Sequence, residues 1–482
     1  MRPLILISAL VWVGCGSETA PQPPPVGRFV YPSGIVHRQV DGSPNGALYV
    51  ASANFDKCYD TGSLIALDLD SLGLPEIGAS VPASGPAEIT DLQVDSNNSY
   101  VQIDSFAGEM TLWTPRTGGT PRLFVPTRAE GNYLHAIDIQ DRTNEGKTIL
   151  NCVGASQGDR NCVPTALSLT SKIAGAVDDQ PRAPAPIGVT VDDSGDQPEL
   201  WVTHTEAADS PARSSKSFQT YLVHLPDAGG DSLSLSKDDF VSLTPPGLPI
   251  GGAHATAIGD RYVYVTGRNF VAGQTLVSAS FLLRLVDRTD TTRILETSLS
   301  SVYQTLEARD IIRIPLGKPE EHLDKDRLYI LARSPDTLLV VDVDNASSAR
   351  PSFLVVSAVP LPEGASGLQI LRRGDPGDEL VAVTCAGTTR TLGVLVLYDT
   401  KLGQVVRQVG DVGTQPYGLA VDQRGTSAAR VFVTNFGDGR VAVIDIPNIR
   451  QPQDARLVAY LGEPQGLDPK QGTSTCRQET QP

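Results

Sequence analysis

Four side chains in this 482-residue sequence could do chemistry together: Glu88, His135, His254 and Arg309. Each stands at one place in a recurring segment, the place that Gly34, Gly188, Gly367 and Gly418 hold in the other copies. A carboxylate, two imidazoles and a guanidinium facing one funnel could bind an anion or a metal, or act as acid and base. Polar residues also line wet channels as plain solvated walls, and a slip of one residue in the alignment would exchange Arg309 for Asp310. No sharper chemistry is written in the chain. It has no HExxH, no CxxCH, no GxSxG elbow and no Walker loop. "DDSGD" at 192–196 lacks the alternating ligands of an EF-hand loop and reads as a turn between strands. Neither a metal nor a cofactor is called for.

Elements that could place those residues are short strands. Gly 45 and Pro 36 are high and Met 2 is low, while valine, threonine and leucine dominate the patterned segments. "QPYGLAVDQRGTSAARVFVTNFGDGRVAVIDI" alternates apolar and polar residues around a tight turn, and "ALYVASANFDKCYDTGSLIALDL" echoes it near the other end. Further copies are "YPSGIVHRQVDG", "GPAEITDLQVDSNNSYVQI", "APIGVTVDDSGDQPELWVTH", "GGAHATAIGDRYVYVTG" and "GASGLQILRRGDPGDELVAVT". Weaker ones are "NYLHAIDIQDRTNEGKTIL" and "TLEARDIIRIPLGKPEEHLDKDRLYIL". A spacing of roughly 55 residues suits four strands and their turns, one propeller blade. The reading is an all-β single β-propeller of four-stranded blades over 30–465. Eight blades are expected from eight anchors; seven is the alternative, because the repeat is poor around 147–180 and "SLSLSKDDFVSL" can be an insertion.

These residues carry a resemblance. "QPYGLAVDQRG...RVFVTNFGDGRVAVIDI" is similar to the YVTN-type β-propeller repeat, and "ASANFDKCYDTGSL" resembles a stretch found in bacterial exported lipoproteins of this kind. The resemblance implies the fold and leaves the activity open. Loops after second strands are long in several copies, as in "ASQGDRNCVP", "TEAADSPARSSKSFQ", "RNFVAGQTLVSAS" and "CAGTTRT", whereas the last copy has the minimal "FGDG". Elaborated loops on one face suggest a binding surface for a protein or small molecule. The expected function is a binding or scaffold protein; the alternative is a lactonase-like propeller hydrolase with an acid–base set at the channel mouth.

The start of the chain, "MRPLILISALVWVGCGS", has an apolar run too short to span a bilayer and typical of a secretion signal. Its end resembles a bacterial lipobox, with Val13 and Gly14 ahead of Cys15 and Trp12 where leucine is usual. Expected units are a lipoprotein signal peptide (1–14), a lipidated Cys15 with a proline-rich linker (15–29), the propeller, and a tail (466–482). That places the protein outside the cytoplasm, held to the bacterial cell envelope by lipid. A formal net charge of −16 argues against a nucleic-acid partner. In an oxidising compartment Cys152 and Cys162 are expected to bridge a hairpin loop. Cys476 is expected to pair with Cys58, or with Cys385, and the Cys58 pairing would clasp the ends of the ring.

Overall fold

The computed structural model describes residues 22–465 apart from single positions and interior stretches, the longer ones being 143–146, 171–184, 206–220, 244–251, 277–281, 301–306 and 318–323. The proposed signal, Cys15, the C-terminal tail with Cys476, and nearly all of "TEAADSPARSSKSFQ" lie outside the described residues. Among those described, the strands form seven sheets of four strands, two of them with a fifth, and one small separate hairpin. Their innermost strands are Pro32–Arg38, Thr111–Trp113, Pro186–Asp192, Ala253–Ile258, Glu307–Pro315, Ala365–Arg372 and Pro416–Arg424. They succeed one another around a channel, and the last lies against the first. These are blades 1 to 7 of one propeller.

The expectation of eight blades is thereby corrected. Two of the eight anchors, Glu88 and His135, do not begin a blade. Glu88 lies in the three-residue strand Ala87–Ile89, which adds in parallel to the outer edge of blade 7. "SYVQI" beyond it supplies the outermost strand of blade 1, Tyr100–Ile103. His135 lies in Tyr133–Arg142, the third strand of blade 2. The innermost strand of that blade is only three residues, "TLW", too short to show alternation.

The core of the ring lies between blades, and seven apolar clusters fill its seven gaps. Alternation along a strand sends successive side chains to opposite faces. Val431 and Val433 therefore pack toward blade 6, and Phe432 packs toward blade 1. No blade can bury both faces alone, so the repeat must close on itself.

The threonine of the YVTN-like strands ties neighbouring blades. Thr434 Oγ1 accepts from the Gly418 N–H at 2.7 Å and donates to the Ser33 carbonyl of blade 1 at 3.2 Å. Thr384 links Gly367 to Tyr417, and Thr203 links Gly188 to His254, in the same way. That close approach is why glycine recurs at the anchor: a Cβ on Gly418 would stand 2.2 Å from the Ser33 oxygen. At the foot of the blades a directly cross-strand Arg–Asp pair repeats as Arg122–Asp138, Arg327–Asp342 and Arg430–Asp445.

Among the described residues, the four strands of blade 1 all come from one end of the chain and the four of blade 7 from the other. The excursion between the last two strands of blade 1 closes the seam. Besides the added strand, its carbonyls at Pro75, Gly78 and Ala79 accept from Arg430 and Arg456 of blade 7. A second staple lies at blade 2, where Cys152 and Cys162 are disulfide-bonded as expected. The segment they bracket pairs with Gln102 along the outer edge of blade 1. Cys58 is also disulfide-bonded, while Cys385 is a buried free thiol.

Candidate functional site

A left-handed residue precedes five of the innermost strands. Tyr31, Phe106, Ala185, Gly364 and Gln415, with φ between 51° and 83°, each stand three residues ahead of an anchor. This backbone mark identifies Glu109 as the anchor of blade 2, and the register of the bulges identifies Ala255 and Asp310 as those of blades 4 and 5. Anchors line a channel cavity of about 250 Å³. The residues just before them, Ser33, Ile187, His254, Arg309, Ser366 and Tyr417, line a wider cavity of about 840 Å³ at the mouth above it.

The four expected site residues therefore separate. Glu88 is half exposed on the outer rim and pairs with Arg440. His135 is fully buried between blades 1 and 2, where its Nε2 accepts from the Asp104 N–H at 3.1 Å. Burial pushes its imidazole down to about 3, so the ring is neutral and structural. His254 and Arg309 do meet at the mouth, joined by a residue the sequence did not single out. Glu307 Oε1 lies 3.1 Å from His254 Nε2 and accepts from Arg309 Nη1 at 3.2 Å. Arg309 also stands over the Tyr417 ring, 5.0 Å from its centre. Burial works against its charge, but Tyr417, Glu307 and Glu109 hold its pKa above the ordinary arginine value.

Below the mouth, the one-residue slip weighed for Arg309 is what the register shows. Asp310 occupies the channel level, its carboxylate accepting from the N–H groups of Ile311 and Leu368 at 2.8 and 2.9 Å. Burial raises it to about 6. Burial, then the charge of Asp310, pushes Glu109 up to about 8 against the pull of Arg309 and Arg128. Both carboxyls touch channel space yet are ringed by protein, which is the setting that disfavours their charge.

Blades 1 and 7, with Phe106 from the connection into blade 2, present an aromatic wall to the mouth. Phe55 packs edge-on to Phe106 and Phe436 with ring centres 5.1 and 5.5 Å apart, and Tyr31 lies 5.0 Å from Phe436. Phe55 stays 41% exposed, so the cluster offers an apolar face to the cavity. From "CAGTTRT", Ala386, Gly387 and Thr388 reach the rim. "RNFVAGQTLVSAS" contributes the separate hairpin Val271–Ala272 and Thr275–Leu276, with its remaining residues largely outside those described.

No family model matches this chain, and no curated relative does. Among solved structures it is similar to the Cps50 (Swd1) β-propeller domain of Myceliophteria thermophila, at 12% identity and a TM-score of 0.45 over 86% of this chain and 96% of that one. Sqt1 of Chaetomium thermophilum, bound to the N-terminus of the ribosomal protein L10, matches at 11% and 0.45 over 90% and 89%. A mutant Aleuria aurantia lectin in complex with alpha-methyl-L-fucoside matches at 10% and 0.39 over 91% and 98%. The fold assignment rests on the sheets of this chain.

Proposed function

We propose that this protein is a lipid-anchored, extracytoplasmic binding propeller whose ligand or partner docks at the channel mouth. One observation carries the reading: a cavity of about 840 Å³ lined by both an aromatic cluster and three guanidinium groups. That is the size and the mixture of apolar surface with a few placed polar groups that ligand sites show. The test is to purify the mature protein from its native envelope and identify what accompanies it by native mass spectrometry. Ala386→Trp, which narrows the cavity with an indole, is expected to lose that species with an unchanged Tm. Retention of the same species by the narrowed variant would end the reading. The anchor is tested separately: Cys15→Ser is expected to move the protein to the soluble fraction.

A second reading, a propeller hydrolase, is favoured by Glu109 and Asp310. Two neighbouring carboxyls raised to about 8 and about 6 are a pattern of acid and base. It requires that Glu109→Gln and Asp310→Asn abolish turnover of an ester or lactone without lowering Tm.

A further inference from the structure

We infer that the mouth cavity takes a carboxylate carried on an aromatic body, the charge set against Arg309 and the ring against the Phe55, Phe106 and Phe436 cluster. This rests on the mouth being the binding site and adds the chemistry of what binds. Three arginines, Arg128, Arg309 and Arg333, line the cavity against two glutamates, Glu307 and Glu363. In a chain of net charge −16 that local excess of cations runs against composition. Arg309 is oriented before any ligand arrives, since Glu307 takes one edge of the guanidinium and Tyr417 lies under its face. A planar, oriented fork of donors is suited to a carboxylate. Lys57 stands over the Phe106 ring with Nζ 5.5 Å from its centre, adding a cation beside the aromatic wall. An amine would meet these cations, and a small inorganic anion would leave the exposed Phe55 uncovered.

The channel carboxyls bear on the same site. Glu109 faces Arg128 of its own blade, Gly188 of blade 3, and Glu307, Arg309 and Asp310 of blade 5. Held neutral at pH 7, it leaves Asp310 as the charged carboxylate of the channel; once ionised above pH 8 it adds a second negative charge beneath the bound carboxylate. Anion affinity should therefore fall as pH rises through 8.

The experiment is calorimetric titration of the full mature chain with N-acetylphenylalanine, its neutral amide, and a tetrapeptide ending in phenylalanine. Expected is binding of the acid with the amide about ten-fold or more weaker, the factor a charge-assisted hydrogen bond commands. Arg309→Lys, which keeps a cation beside Glu307 and loses the planar fork, should weaken the acid about ten-fold, and the surface change Phe55→Ser should weaken it about ten-fold through lost apolar contact, at unchanged Tm. Affinity should drop between pH 7 and pH 9, and Glu109→Gln should flatten that drop. Tighter binding of the tetrapeptide assigns the carboxylate to a peptide C-terminus; equal binding assigns it to a small aryl acid. Equal affinity for acid and amide, or no binding of either acid, overturns the inference. In that event a species displaced from native protein by Ala386→Trp would still leave the mouth as a binding site of other chemistry.

Discussion

Glu109 is a carboxyl the fold keeps against its ionic preference. Its pKa is raised on folding from 4.5 to about 8, so its favourable contribution is present below pH 4.5 and lost as pH rises through 8. Glu109→Gln keeps the shape and removes the titration, so thermal melts should show it more stable than wild type at pH 8 and indistinguishable at pH 4. His135 works in the opposite direction. Its folded value, about 3, lies below the ordinary 6.5, so the neutral ring supports the fold above pH 6.5 and the support is lost as pH falls toward 3. His135→Gln retains an acceptor for the Asp104 N–H, and its melts should lose less stability than wild type over that acid window. Arg430 and Asp445 are 1% and 0% exposed. Removing only the cation, as in Arg430→Met, leaves a buried carboxylate and should cost about 3–5 kcal/mol in urea unfolding.

At the scale of elements, the disulfide and the added strand differ in what they hold. Cys152 and Cys162 close a short loop that covers the edge of blade 1. Replacing both by alanine should cost about 3 kcal/mol by the chain-entropy account, readable as a lowered urea midpoint. The Glu88–Arg440 pair is half exposed on its acidic side, and Glu88→Ala should change stability by less than about 1 kcal/mol. Strands such as "RVFVTN" and "VAVIDI" were legible because both faces are buried against neighbours, which writes apolar residues along the whole element. The anchor was legible where a neighbouring carbonyl excludes a Cβ, as at Gly418. It was hidden where the ring admits a side chain: Ala255 beside His254, Asp310 beside Arg309, and Glu109 ahead of a three-residue strand. In those blades adjacent residues line different levels, so a slip of one exchanges the channel for the mouth. The mark that would have found Glu109, a left-handed residue three positions earlier, falls on Phe106 and Tyr31 and leaves no trace in residue type.

For the whole molecule, closure is the weak point of a ring made by one chain. Six inter-blade gaps join consecutive stretches of sequence, but the gap between blades 7 and 1 joins residues some hundreds of positions apart, so its loop-closure entropy is the largest. Neither blade takes one of its own four strands from across it. It is held by the apolar cluster around Phe29, Leu48 and Phe432, by Thr434 on Ser33, and by the excursion that brings Ala87–Ile89 onto blade 7. Arg430 and Arg456 reach the carbonyls of that excursion, so replacing 75–91 with a glycine–serine linker removes the added strand and the fixed placement of three carbonyl acceptors at once. The expected result is a lowered Tm with the loss localised. Hydrogen exchange should quicken first in Pro32–Arg38 and in the strands of blade 7, while Ala253–Ile258, opposite the seam, keeps its native protection. Thr203→Val, which removes the equivalent tie between blades 3 and 4, is the control and should leave exchange at the seam unchanged. Uniform acceleration in every blade of the linker variant would show that the ring opens as one unit and that the excursion does not govern the seam.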